Sequence, residues 1–162
     1  MTDPSLLIPG LQRLGTESAF EVLARAKKLE EAGADIINLS LGCSNCFSSG
    51  LSEAIRAARE AGVIVVAAAG NNASSVPFYP AAYEGVIGVS ATTISNEIAS
   101  YSNFGSGVDV AAPGGSNITD FNGDGIGDGV ISTIGDDSSG GPIEFGYLSQ
   151  FGTSMAAPHL AG

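Results

Sequence analysis

Residues 62–70 read GVIVVAAAG, an almost unbroken apolar run framed by glycines. Such a run suits a strand covered on both faces of a sheet, because a strand with one wet face alternates polar and apolar residues instead. ADIINLSLG, residues 34–42, is a second short run of the same kind. Between the two, Leu51, Ala54, Ile55, Ala58 and Ala61 fall at helical spacing and stop at Gly62. Strand, helix and strand within about 35 residues make a βαβ unit, with a right-handed crossover and parallel strands. The spacing therefore predicts an α/β fold on a parallel sheet, with ADIINLSLG as a buried strand.

The rest of the chain extends this frame. Glu17–Ala32 carries apolar residues at Ala19, Val22, Leu23, Ala26 and Leu29, with Ser18 and Glu21 spaced as a capping box and Gly33 as a stop, so an amphipathic helix is expected there. VIGVSAT (86–92) and VDVAA (108–112) add strands through Gly-rich loops, and VISTI (130–134) with IEFGYLSQF (143–151) reads as a hairpin around GDDSSGGP. No repeat or linker interrupts the 162 residues, so a single domain over 1–162 is expected, and 44% hydrophobic composition supplies its core.

Charge narrows the partners. With 17 acidic against 6 basic residues the net charge is -11, which argues against nucleic-acid backbones and anionic membrane surfaces, and no partner chain is inferred. MTDPSLLIPG is too short and interrupted for a signal peptide or a spanning helix. The two cysteines, Cys43 and Cys46, form a lone C-x-x-C, which excludes a four-cysteine zinc site within the chain. A local disulfide, two thiols and pairing outside the chain stay open.

Nucleophilic chemistry concentrates in FGTSMAAPHLAG, residues 151–162. A hydroxyl on Ser154 at a helix start would lie near unpaired backbone N–H groups that stabilise an oxyanion. The small residues Gly152, Ala156 and Ala157 would admit a substrate closely, and Pro158 is expected in the first helical turn, where its missing donor costs nothing. The competing reading of Ser154 is an ordinary helix N-cap.

GTSMAAPHLAG resembles the nucleophile segment of the subtilisin-like serine proteases, the subtilases, and INLSLG, VVAAAGNN and VDVAAPG resemble three further segments of that family in its order. The resemblance implies a parallel-sheet subtilisin-like fold and serine endopeptidase chemistry on polypeptides. It implies Ser154 as nucleophile and Asn71 as side-chain donor of the oxyanion hole. Ser40, Leu41 and Gly42, with Ala68, Ala69 and Gly70, would be backbone walls of a substrate cleft along which an extended peptide pairs as an added strand. Tyr79-Pro80 resembles a step near the specificity pocket that the family often precedes with a small residue. Here Phe78 stands there, either shortening the pocket or turned into the core. A secreted or extracytoplasmic location is implied as well.

The chain departs from the family pattern in its triad as well. Subtilases order their triad Asp, His, Ser, yet the single histidine is His159, which matches a structural position of the motif. Asp35 and Asp109 sit in segments the family places elsewhere and are assigned no catalytic role. The expectation is therefore a subtilase domain truncated at both ends, with its triad Asp and His outside this chain and no peptidase turnover by the chain alone. The alternative is a non-catalytic subtilase-like protein that binds peptide or calcium.

DFNGDGIGDG, residues 120–129, adds a candidate metal loop. Asp120, Asn122, Asp124 and Asp128 place side-chain oxygens at calcium-loop spacing, Gly125 sits at the sharp turn, and the carbonyl of Ile126 falls at the seventh position. Position twelve is Ile131 rather than a bidentate Glu, so Asp136, Asp137 or Glu144 would have to complete the shell. The loop reads as an insertion with structural calcium as its cofactor, or else as a flexible acidic loop.

Overall fold

Val65 and Ala67 point to one side of the strand Ile64–Ala68 (β3) and Val66 and Ala68 to the other, and none of the four is more than 2% exposed. Burial on both sides is what the apolar run required. The computed structural model describes residues 35–121, 123–136 and 144–162, and Ile36–Ala161 form one compact unit. The helix expected over 17–32 lies outside the described residues.

Four parallel strands form the main sheet, in the order β1, β3, β5, β6, where β1 is Ile36–Leu39, β5 Ile87–Thr92 and β6 Val110–Pro113. On one face lies the helix Ser49–Glu60 (α1), whose Ile55 packs with Val65, Ala67, Tyr83 and Val86. Ser48 caps it by accepting from the Leu51 N–H at 3.4 Å, and the chain leaves it at Gly62. The other face is covered by the helix Thr153–Ala161 (α2), which crosses all four strands. Ala156 and Ala157 of α2 are wholly buried against Val66, Ala68, Val89 and Ala91, and their small side chains let the helix sit close to the sheet.

Three local features differ from the sequence reading. The strand expected to be buried, β1, has Ile37 40% exposed, because β1 is the edge of the described sheet and only β3 pairs with it. The strand expected at 108 starts at Val110, because Asp109 turns to bracket Gly88. The Asp109 N–H donates to the Gly88 carbonyl (2.9 Å) and its carboxylate accepts the Gly88 N–H (2.8 Å). A ribbon absent from the sequence reading also forms, Cys43–Ser44 (β2) against Phe78–Tyr79 (β4), each too short to show a period. Beside it Cys43 and Cys46 are joined as a disulfide.

The expected hairpin is present as Val130–Asp136 (β7) and Glu144–Gln150 (β8), paired antiparallel from Val130↔Gln150 to Asp136↔Glu144. Its outer face is apolar and open, with Phe145 86% and Ile131 71% exposed.

Candidate active site

The segments after β1, β3 and β6 leave the sheet at the carboxyl ends of its strands, where parallel α/β sheets place their ligands, and α2 begins beside them. Its start is anchored by a hydrogen bond from the Gly152 N–H to the Gly114 carbonyl, 2.9 Å. Gly152 has φ +144°, a backbone region that favours glycine, and its carbonyl accepts the N–H groups of Met155 and Ala156 at 3.0 and 3.2 Å. Gly152 is thus the capping residue, and the N-cap reading of Ser154 does not hold. Ser154 is inside the first turn, and its Oγ donates across the cleft to the Ser40 carbonyl at 3.3 Å.

Pro158 corrects another expectation. It lies inside α2 rather than in the first turn, so the carbonyl four residues back, that of Ser154, has no helical donor. The Ser40 Oγ fills that role at 2.8 Å and is itself held by the Asn38 Nδ2 at 3.0 Å. The proline therefore opens a carbonyl that ties the Ser154 turn to the Ser40 segment.

Asn71 is brought to the same turn. Its Oδ1 accepts both the Thr153 N–H and the Thr153 Oγ–H, each at 2.9 Å. A backbone N–H can only donate, so the carboxamide oxygen is committed and the Nδ2 donors lie outside these bonds. Thr153, fully buried, also accepts the Gly70 N–H through its Oγ1 at 3.1 Å. Asn103, 2% exposed, secures the rest of the loop. Its Oδ1 accepts from the N–H groups of Asn72 (2.9 Å) and Ser74 (3.2 Å), and its Nδ2 donates to the Ala69 carbonyl (2.8 Å). The sequence reading missed Thr153 and Asn103. Thr153 carries one signal, its place between a glycine and the candidate nucleophile, whereas Asn103 carries none.

Ser40, Leu41 and Gly42 continue from β1, and Ala69 and Gly70 from the end of its neighbour β3, the two strands pairing up to Leu39↔Ala67, but the two segments differ. Ala69 donates to the Val89 carbonyl (3.0 Å) and accepts from Asn103, and Gly70 donates to Thr153 and accepts the Asn103 N–H (2.9 Å). The backbone N–H groups of Ala69 and Gly70 are therefore already bonded within the fold. In the other segment Leu41 is 60% exposed.

Elsewhere His159 donates from Nδ1 to the Met155 carbonyl at 2.7 Å, the tautomer the carbonyl demands, and this holds the ring on its own helix. Asp109 is spent on Gly88, and Asp35 is exposed at the start of the described chain. Beneath the Gly152 turn the Tyr101 hydroxyl reaches the carbonyls of Gly114 (3.0 Å) and Gly115 (2.8 Å), and burial pushes it above its usual 10.0 against a lowering contact from the Gly152 backbone.

The acidic loop is closed on itself. Ser116 N–H meets the Asp128 carbonyl at 3.0 Å, so the loop leaves and rejoins the chain at one place, as an insertion would. Asp120 accepts the N–H groups of Gly123 (2.6 Å), Asp124 (3.2 Å) and Gly125 (2.8 Å). Asp124 accepts Ile126 (2.8 Å) and Asp128 accepts Phe121 (2.6 Å). The donors are hard oxygens suited to calcium, and the Thr119 Oγ1 is buried without a partner next to them. No three acidic, histidine or cysteine side chains converge among the described residues, and Asn122 lies outside them. The fit to calcium is thus in chemistry and curl, not yet in convergence. Among the described residues no helix is long and apolar enough to cross a membrane.

Comparison with known proteins supports the fold described above. The family model described as the Subtilase family matches residues 4–162. The chain is 40% identical over 157 residues to a thermophilic serine proteinase of Bacillus sp. (strain AK1), covering 97% of this chain and 34% of that protein. It is 43% identical over 130 residues to an extracellular protease of Xanthomonas campestris pv. campestris, covering 80% and 20%. A solved protease structure from Pseudoalteromonas arctica superposes with a TM-score of 0.69 at 43% identity, over 79% of this chain and 37% of that one. The chain therefore spans only 34% and 20% of the two sequence relatives.

Proposed function

Because the chain belongs to the Subtilase family, whose model it matches over residues 4–162, we propose that it carries the nucleophile and oxyanion side of a serine-type endopeptidase. Ser154 Oγ attacks the carbonyl carbon of a peptide bond, and the Asn71 Nδ2 with the Ser154 backbone N–H holds the oxyanion that forms. An acyl-enzyme follows, which water releases. The observation that carries this reading is the pair of Thr153 hydrogen bonds that hold the Asn71 carboxamide beside the nucleophile turn with its donors uncommitted.

The Ser154 proton needs a base. His159, the single histidine, is turned to Met155, so the base and the carboxylate that orients it come from outside this chain. The substrate is a polypeptide lying between Ser40–Gly42 and Ala68–Gly70. Secretion is supported by the Cys43–Cys46 disulfide. A structural calcium would be held by Asp120, Asn122, Asp124, Asp128 and the Ile126 carbonyl, supported by their spacing and by the curl of the loop.

The test is hydrolysis of an unfolded polypeptide by the chain and by a form extended with the family's Asp and His segments. Turnover is expected only in the extended form, lost in Ser154→Ala, and reduced roughly 10²–10³-fold in Asn71→Ala, the cost of removing this donor in subtilisin. Turnover that survives Ser154→Ala would exclude the assigned nucleophile. Ser154-dependent turnover by the 162-residue chain itself would mean that a base within it had been overlooked.

A further inference from the structure

On the proposed reading a polypeptide lies between Ser40–Gly42 and Ala68–Gly70 with a carbonyl at Ser154 Oγ, and the side chain of that residue would go into the slot between the segments adjoining Ser154 and Asn71. One is Ser40–Gly42, bound to Ser154 by two reciprocal hydrogen bonds, and the other is Ala69–Gly70, next to Asn71. The gap between Gly42 and Gly70 is occupied by the ring of Phe78. A β-carbon built on Gly42 would meet Phe78 Cε1 and lie 3.0 Å from Cδ1, and one built on Gly70 would lie 2.8 Å from Cδ2 and 2.9 Å from Cγ. Both edges of the ring therefore press on backbone that bears no side chain. The two glycines let the ring enter the slot, and the ring then fills it.

The ring is held in place by the backbone around it. Phe78 pairs with Ser44 across the β2–β4 ribbon, its carbonyl accepts the Ala82 N–H at 2.9 Å, and the preceding Pro77 carbonyl accepts the Asn45 N–H at 2.9 Å. The Cys43–Cys46 disulfide closes the facing strand. A cavity of about 140 Å³, lined in part by Ala69, Val76, Asn103 and Phe104, also borders Phe78, so removing the ring adds that space to the slot.

We propose that Phe78 restricts this site to polypeptides whose residue at the attacked carbonyl is small, namely glycine, alanine or serine. A larger side chain would have to displace a ring whose backbone is bonded on both sides. The inference rests on the proposed endopeptidase reading, which sets where that residue lies.

The test reads binding rather than turnover. Fluorescent peptides identical except for a terminal Ala, Leu or Phe carboxylate are titrated by anisotropy into the 162-residue chain and its Phe78→Gly and Phe78→Ala variants. The native chain should prefer the Ala-terminated peptide by at least about tenfold, the discrimination a pocket of fixed size supplies. Both variants should abolish or reverse the ranking, and Phe78→Ala keeps the test valid if glycine unsettles the β2–β4 ribbon. Equal binding of all three peptides by the native chain, an unchanged ranking in the variants, or no binding at all overturns the proposal. Absence of the ranking while the form extended with the family's Asp and His segments keeps Ser154-dependent hydrolysis would sink this inference alone. A ranking that persists while the extended form shows no such hydrolysis would sink the endopeptidase reading and leave a size-selective peptide slot.

Discussion

Thr153 shows how much of the site rests on a residue that does no chemistry. Its hydroxyl accepts from Gly70 and donates to Asn71, so one buried oxygen couples the Asn71 loop to the Ser154 turn. Thr153→Val keeps the shape and removes both bonds, leaving the Gly70 N–H without an acceptor. An unsatisfied buried donor costs about 1–3 kcal/mol, so the unfolding free energy read from urea denaturation should fall by that amount, while Thr153→Ser should recover most of it. Equal destabilisation by serine and valine would assign the effect to packing instead. Pro158 and Ser40 form a second such pair, in which the helix loses a donor and the cleft wall supplies one.

Among the elements, the acidic loop makes the sharpest prediction. Its carboxylates already fold it around Asp120, and a calcium ion would draw them from loop amides to itself. An ion bound only by the folded chain stabilises it by about 2.7 kcal/mol at a hundredfold excess over Kd. Calcium should therefore raise the melting temperature where magnesium at equal ionic strength does not. Asp124→Asn keeps an acceptor oxygen for the Ile126 amide but removes the charge, and should remove most of the response. A calcium response that Asp124→Asn leaves intact would assign the ion to another place. The longer elements were legible in the sequence because burial imposes a period: α1 from its five spaced apolar residues, β3 from its run, and β7–β8 from the two runs around a Gly-rich turn. The β2–β4 ribbon was not, since two residues per strand have no period to read.

At the scale of the whole molecule, charge sets a general condition. The net charge of -11 repels itself in the compact state, and the ion pair found among the described residues, Arg56–Glu60 at 2.6 Å, is exposed on both sides. Raising monovalent salt shortens the Debye length from about 30 Å at 0.01 M to about 10 Å at 0.1 M. In the presence of a chelator, melting should rise with sodium chloride by a few degrees, on the order of 1 kcal/mol at about 2–4 °C per kcal/mol for a chain of this size. A flat or falling melting temperature would mean that self-repulsion is not limiting. The two layers over the sheet pack differently, α1 through Ile55 against Tyr83 and Val86 and α2 through the small Ala156 and Ala157, which bring it close to all four strands.

By itself the sequence determined the α/β class, the buried strand β3, the helix that follows β1, and the residue types able to attack and to stabilise an oxyanion. These are local properties, because periodicity and short motifs are written in neighbouring positions. The tertiary structure decided which groups meet: Thr153 with Asn71 across 82 positions, Ser40 with Ser154 across 114, and Phe78 between Gly42 and Gly70. Such contacts leave no spacing to read, because their partners are brought together by the parallel crossover of the sheet and not by the distance between them along the chain.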